Sequence, residues 1–238
     1  MTLQDLRVDI YADGADIAAM KKRYEEGYVK GFTTNPTLMR KAGVSDYLKF
    51  AGEAVKAIPD LPVSFEVFSD DFDTMEREAK VLSSLGKNVF VKIPVTNTKG
   101  ESSVELVRRL SEQGIQLNVT AVFTIPQVRR IVDALVAGQS NIVSIFAGRV
   151  SNAGVDPEPV MREAAEICHA KAGTRLLWAS TRELFNIIQA DRTGTDIITV
   201  TDGLLSQLDT LGKDLEQYSR ETVEMFYRDA QALGFHII

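Results

Sequence analysis

A lysine in the middle of an apolar run is the first residue in this sequence that asks for a chemical explanation. Lys92 lies in Val89-Phe90-Val91-Lys92-Ile93-Pro94. Burial there disfavours an ammonium and favours the neutral amine, whose lone pair can attack a carbonyl carbon. A blander reading stays open: the lysine can snorkel to the strand end or form an ion pair, with Glu66 as its partner. Its company bears on the choice. Side chains alternate faces along a strand, so Val63, Phe65 and Val67 leave Ser64 and Glu66 on the other face, and Leu117, Val119 and Ala121 leave Asn118 and Thr120. Three consecutive strands thus carry polar groups on one parity. To these the first strand adds Asp9 and Asp13, the second Thr33 and Asn35, the sixth Ser144 and the seventh Ser180, mostly toward C-terminal strand ends. Hydroxyls and amides of this kind suit a polyhydroxylated ligand better than they suit a core. Arg149 and Arg182 follow in Ser144-Ile145-Phe146-Ala147-Gly148-Arg149 and Ala179-Ser180-Thr181-Arg182. An arginine fork with hydroxyls and a helix N-terminus nearby can hold a phosphate, although by itself either arginine can equally be an exposed loop charge.

Other chemistries are poorly served. The two histidines are His169, on a helical stretch, and His236, near the C-terminus, so histidine acid/base work and a zinc site are not expected, and proton transfer falls to carboxylates, Lys or Tyr. Neither a metal nor an organic cofactor is called for. Cys168 is the single cysteine, set in an apolar helical stretch that suits a small buried thiol, and a disulfide within the chain is impossible. The net charge of −6 argues against a nucleic-acid surface, so an anionic substrate must be held by a local basic pocket. No run approaches the roughly 20 apolar residues of a membrane span. A cytoplasmic protein with no membrane contact is the expectation.

The elements that position these residues are legible in the hydrophobic period. Short β-branched runs occur at about residues 7–12, 30–34, 62–67, 88–94, 116–122, 141–146, 174–179 and 195–200. Helical stripes lie between them: Phe72, Met75, Ala79, Leu82 and Leu85 form one, and Val128, Ile131, Val132 and Leu135 another. Asp70, Asp71 and Asp73 open the first of these helices and Gly86 is expected to close it; Thr124 is expected to cap the second and Gly138 to end it. Eight strand-then-helix units predict an α/β fold, a (β/α)8 TIM barrel in one domain spanning residues 1–238, with an open doubly wound sheet as the alternative. Asp13-Gly14-Ala15-Asp16 has too few glycines to cradle a pyrophosphate. Residues 212–233 form an extra C-terminal helix with apolar positions at Leu211, Leu215, Tyr218, Met225, Phe226 and Leu233. Such a helix must pack on its own barrel or on a neighbouring subunit.

Along nearly its whole length the chain resembles the transaldolase family, in its small-subunit branch with the fructose-6-phosphate aldolases. The resemblance runs in order through Tyr11-Ala12-Asp13, Gly31-Phe32-Thr33-Thr34-Asn35-Pro36-Thr37, Val91-Lys92-Ile93-Pro94-Val95-Thr96 and Ala179-Ser180-Thr181-Arg182. It implies a (β/α)8 barrel with Lys92 as Schiff-base lysine on the fourth strand and Asp13 as the acid/base of carbon–carbon cleavage. It further implies that Asn35 and Asn118 hold a dihydroxyacetone unit, that Glu66 and Thr120 bind a catalytic water, and that Arg149, Ser180 and Arg182 bind phosphate with Ser144 nearby. The implied activity is transfer of dihydroxyacetone from fructose 6-phosphate to erythrose 4-phosphate, in the pentose phosphate pathway, by a homo-oligomer acting on small sugar phosphates. Two rivals remain within the family, release of free dihydroxyacetone and action on another anionic ketose such as a sulfo-sugar. By resemblance, transaldolases have Glu and Phe where the aldolases have Gln and Tyr, and this chain has Glu66 and Phe146. A non-catalytic sugar-phosphate binder is disfavoured because it has no need of Lys92, Asp13 and Glu66 together. Four residues depart from the family pattern: Gly14, Ser151, Asn152 and Trp178.

Overall fold

The computed structural model describes residues 3–235 and 237. Eight strands, β1 (Asp9–Asp13), β2 (Gly31–Thr33), β3 (Val63–Glu66), β4 (Val89–Pro94), β5 (Leu117–Val122), β6 (Asn141–Ile145), β7 (Thr174–Trp178) and β8 (Ile197–Thr201), pair in parallel and in sequence order. β8 returns to β1 with Asp9 opposite Ile197 and Asp13 opposite Thr201, so the sheet closes and the open-sheet alternative falls. Between strands run α1 (Ile17–Glu25), α2 (Pro36–Lys41), α3 (Tyr47–Ala57), α4 (Phe72–Ser83), α5 (Val104–Glu112), α6 (Ile125–Ala134), α7 (Ala147–Asn152), α8 (Glu158–His169) and α9 (Phe185–Arg192). The short α10 (Asp202–Leu205) and the long α11 (Leu215–Leu233) follow β8.

The alternation of each strand divides the core in two. One parity, including Val63, Phe65, Val91, Ile93, Val119 and Trp178, packs beneath the helices; α4 answers with Met75, Ala79 and Leu82, and α6 with Val128, Ile131 and Val132. The other parity fills the barrel, where Tyr11, Phe90, Ile142, Leu177 and Ile197 form a separate apolar cluster. Gly31 makes room for it, since a Cβ there would lie 2.5 Å from the Tyr11 ring. Burial pushes the Tyr11 phenol up to about 12.

Helix starts follow short polar side chains that accept from the first turn: Asp16, Asn35, Asp46 and Asp71 each take a backbone N–H three residues on. Thr124 begins α6 as expected, with Gln127 Oε1 accepting from its N–H at 3.0 Å. Gly86 does not close α4. That helix ends on Ser84, and Gly86 lies in the turn into β4, where a Cβ would fall 2.8 Å from Val55 Cγ1 and from Asn88 Oδ1. The glycine reflects close packing between α3 and this turn rather than a left-handed cap. Gly138, at φ +85°, sits in the turn after α6.

α11 starts at Leu215 behind the Asp214 cap, three residues later than expected, and none of its residues is buried. Leu215 is 79% exposed and Phe226 62%. His236 lies outside the described residues. Among the described residues, no helix is long and apolar enough to cross a membrane.

Candidate active site

All eleven side chains singled out in the sequence as site residues line one cavity of about 430 Å³ at the C-terminal mouth of the barrel. Lys92 and Glu66 are register partners on β4 and β3, which brings Nζ to 2.9 Å from Glu66 Oε2. Nζ also donates to the Thr34 backbone carbonyl at 2.7 Å. The lysine is thus both buried and ion-paired, and it does not snorkel. Thr34 is held in turn by its hydroxyl, which donates to the Ser64 carbonyl at 2.9 Å, and Tyr47 donates to the Glu66 carbonyl at 2.8 Å. These contacts fix the amine against the wall formed by β2 and β3.

Asp13 ends β1 across the barrel from Lys92. Its Oδ1 accepts from the Thr33 hydroxyl at 2.8 Å, and its Oδ2 from Asn35 Nδ2 at 3.4 Å. Burial raises its pKa above the ordinary carboxylate range, opposed chiefly by the charge of Lys92. A carboxyl group so placed can exchange a proton nearer neutrality than a solvated one can. Asn35 has two duties. Its Oδ1 caps α2 by accepting from Leu38 N at 3.0 Å, so its amide can only turn N–H groups toward Asp13 and the cavity.

The amide of Asn118 is pinned as firmly. Ser144 Oγ donates to its Oδ1 at 2.6 Å, and its Nδ2 donates to Ser64 Oγ at 3.1 Å, in a buried row across β6, β5 and β3. Thr120 lies above it, where β5 bulges: the register to β6 shifts between Val119 and Val122, and Ala121 takes φ +57°. The Thr120 hydroxyl is buried and has no partner among the described residues, which leaves it free for a ligand or water.

The two arginines rim the cavity. Arg149 stands on α7 with its guanidinium 5.1 Å from the Phe146 ring centroid. Ser180 adopts φ +67°, and its carbonyl sits where a Cβ on Gly148 would fall, 1.7 Å away. Gly148 is therefore obligatory, and the loops after β6 and β7 touch there. No carboxylate lies within ion-pair distance of Arg149 or Arg182 among the described residues. With its amide turned so that Nδ2 donates to Gly148 O at 3.2 Å, Asn152 Oδ1 accepts from Arg182 Nε at 3.3 Å and Nη2 at 3.2 Å.

Asp9 is not in this site. It lies at the N-terminal end of β1, paired with Arg175, because parity tells which face a side chain takes but not how high it stands in the barrel. The expected helix N-terminus at the arginines is also a minor feature, since α7 has six residues and α9 begins beyond Arg182. Trp178 is fully buried on the helix-facing parity, away from the cavity, and Gly14 borders open space beside Asp13. Three further residues contribute to the site beyond those expected from the sequence. Thr34 acts through its carbonyl, which carries no side-chain signal. Asn152 is a surface residue of α7. Thr199, which lines the cavity, was legible in the alternation Ile197-Ile198-Thr199-Val200-Thr201 but lay hidden among other β-branched residues.

Known proteins of similar shape share the barrel, and those of similar sequence point to a family. Solved structures share the fold at low identity: 2,3-dimethylmalate lyase matches with a TM-score of 0.57 at 16% identity over 96% of this chain and 86% of its own. Thiamine phosphate pyrophosphorylase from Pyrococcus furiosus matches at 0.53 with 11% identity over 82% and 86%. By sequence, the "Probable transaldolase" of Carboxydothermus hydrogenoformans is 34% identical over 227 residues, 95% of this chain and 99% of its own. Its namesake in Dehalococcoides mccartyi is 34% identical over 84% and 89%. A family model described as Transaldolase/Fructose-6-phosphate aldolase matches residues 10–237, and with full-length relatives at this identity the chain belongs to that family.

Proposed function

We propose that the chain, as one domain, is a transaldolase, a transferase that carries a dihydroxyacetone unit from fructose 6-phosphate to erythrose 4-phosphate on Lys92. The observation that carries this reading is a buried lysine amine with Glu66 at 2.9 Å, facing Asp13 across a single cavity rimmed by two arginines. Glu66 is the carboxylate within reach of the Lys92 proton, and its removal frees the amine to add to C2 of the ketose. The carbinolamine loses water to give an iminium, with that water held between Glu66 and the unpartnered Thr120 hydroxyl. Asp13 then takes the C4 hydroxyl proton, the C3–C4 bond breaks, and its electron pair moves into the iminium to form an enamine. Glyceraldehyde 3-phosphate departs. The enamine adds to the aldehyde carbon of erythrose 4-phosphate, Asp13 returns the proton, and hydrolysis of the new imine releases sedoheptulose 7-phosphate. Asn35 and Asn118 present fixed amide groups to the dihydroxyacetone hydroxyls, while Arg149, Ser180 and Arg182 hold the phosphate.

Glu66 and Phe146 favour transfer over release of free dihydroxyacetone. The reading extends to a cytoplasmic enzyme of the pentose phosphate pathway and to a ring-like homo-oligomer in which the uncovered α11 docks on a neighbour. Borohydride with fructose 6-phosphate is expected to leave a reduced three-carbon adduct on Lys92, found by peptide mass spectrometry. An adduct on another lysine overturns the assignment. With erythrose 4-phosphate also present, the seven-carbon product is expected to exceed free dihydroxyacetone; the reverse ratio makes the protein an aldolase. A second reading, transfer from another anionic ketose such as a sulfo-sugar, is favoured by Asn152, which holds Arg182 without a charge. A panel of phosphorylated and sulfonated ketoses separates the two.

A further inference from the structure

Asp13 is held from below by the Thr33 hydroxyl, which the Thr199 hydroxyl backs in turn, and the mechanism above uses neither. β2 and β8 flank β1, and their inward residues Thr33 and Thr199 meet across it, Oγ1 to Oγ1, beneath the carboxylate. Both are buried. A threonine hydroxyl has one proton, and that of Thr33 is donated to Asp13 Oδ1 at 2.8 Å. The contact between the two threonines must then be a donation from Thr199 to Thr33. Thr199 is itself fixed, because its carbonyl accepts from the Thr181 hydroxyl at 2.6 Å, which ties it to the loop carrying Ser180 and Arg182. The other oxygen, Oδ2, has only the long 3.4 Å contact from Asn35.

We infer that Thr199, acting through Thr33, is a positioning residue that anchors Asp13 Oδ1 and leaves Oδ2 as the oxygen that exchanges a proton with substrate. The order of the row matters. By filling a lone pair of Thr33, the Thr199 hydroxyl commits the Thr33 proton to the carboxylate, which steadies its ionised form. Without it, the Thr33 hydroxyl is free to rotate away, and Asp13 loses both orientation and part of that support. The charged groups facing the carboxylate are Lys92 on β4 and Glu66 on β3; Asp16, Arg23, Lys41 and Asp202 line a second cavity on its other side. Among the described residues none of them hydrogen-bonds to Thr199. The inference rests on the proposed role of Asp13 as acid/base.

The test compares Thr199→Val, Thr199→Ala and Thr199→Ser across pH with fructose 6-phosphate and erythrose 4-phosphate. The two variants lacking the hydroxyl are expected to lose about tenfold in kcat, with KM within about twofold, and to move the acid limb of kcat to higher pH, while the serine variant restores both. Unchanged kcat and limb in Thr199→Val and Thr199→Ala overturn the inference. So does an equal loss in all three variants with the limb unmoved, which marks a packing role. Asp13→Asn provides the separate check on the reading underneath: if that variant still cleaves at the parent rate, Asp13 is not the acid/base and the role of Thr199 falls with it.

Discussion

The barrel interior is built twice from the same strands, and the two halves differ by a step of two residues. Tyr11 lies below Asp13, Phe90 below Lys92, Ile142 below Ser144 and Ile197 below Thr199. The lower group packs as an apolar plug, closed by the Asp9–Arg175 pair at the N-terminal end. The upper group holds an ion pair, a carboxylate above its usual range and a hydroxyl without a partner. A strand position two residues on is chemically a different place, because the lower one is sealed on all sides and the upper one opens at the mouth. Stability is drawn from the lower layer and spent in the upper.

Substitutions in the two layers should therefore fail in different ways. Lys92→Arg is expected to reduce transfer at least about 1,000-fold, ~4 kcal/mol of barrier, with little change in Tm. Phe90→Ala, one step below, is expected to cost about 3–5 kcal/mol of stability by leaving a cavity among Tyr11, Ile142 and Leu177, while the fraction that remains folded keeps its kcat. Denaturant unfolding read beside steady-state rates checks both, and a Phe90→Ala protein that is stable but inactive breaks the division. A smaller effect belongs to the rim. Arg182→Ala should weaken kcat/KM for phosphorylated ketoses by about 1.5–3 kcal/mol and leave unphosphorylated ones nearly untouched; equal losses on both would make the arginine structural.

The smallest expected effect is one of pH on stability in the upper layer. Because burial raises the pKa of Asp13, the folded state prefers its protonated form, and the ionised group costs stability at neutral and alkaline pH. Asp13→Asn is thus expected to raise Tm at pH 8 while abolishing cleavage. The gain should shrink as pH falls and vanish below the ordinary value of 3.8, where both states carry the proton. A variant less stable than the parent at pH 8 would show that Asp13 contributes to the fold there.

The period of two made most of this legible in the sequence. Lys92, Glu66, Asn118 and Thr120 each stand on the parity opposite a run of Val, Ile, Phe or Leu, and in a closed barrel that parity has nowhere to go but inward. Height along the barrel axis is a matter of stagger between strands, which no single strand encodes, so Asp9 could be assigned a face but not a level. The family resemblance attached roles to positions whose geometry alone states less, above all Arg149 and Arg182. Tertiary detail stayed out of reach for a different reason: the hold of Thr34 on Lys92 passes through a backbone carbonyl, and the place of Gly86 depends on Val55 from another helix. The apolar stripe in α11 was plain, but a stripe does not say what covers it.

The contact between Gly148 and the Ser180 carbonyl has a mechanical consequence. With no side chain between them, the two backbones act as a welded joint, and the Asn152 amide fastens the same corner from the other side. The backbones that carry Arg149 and Arg182 are thereby held at a set distance from each other. On the proposed function, the anionic end of the substrate would meet a corner of set width, with α2, a short six-residue helix behind Asn35, at another part of the rim.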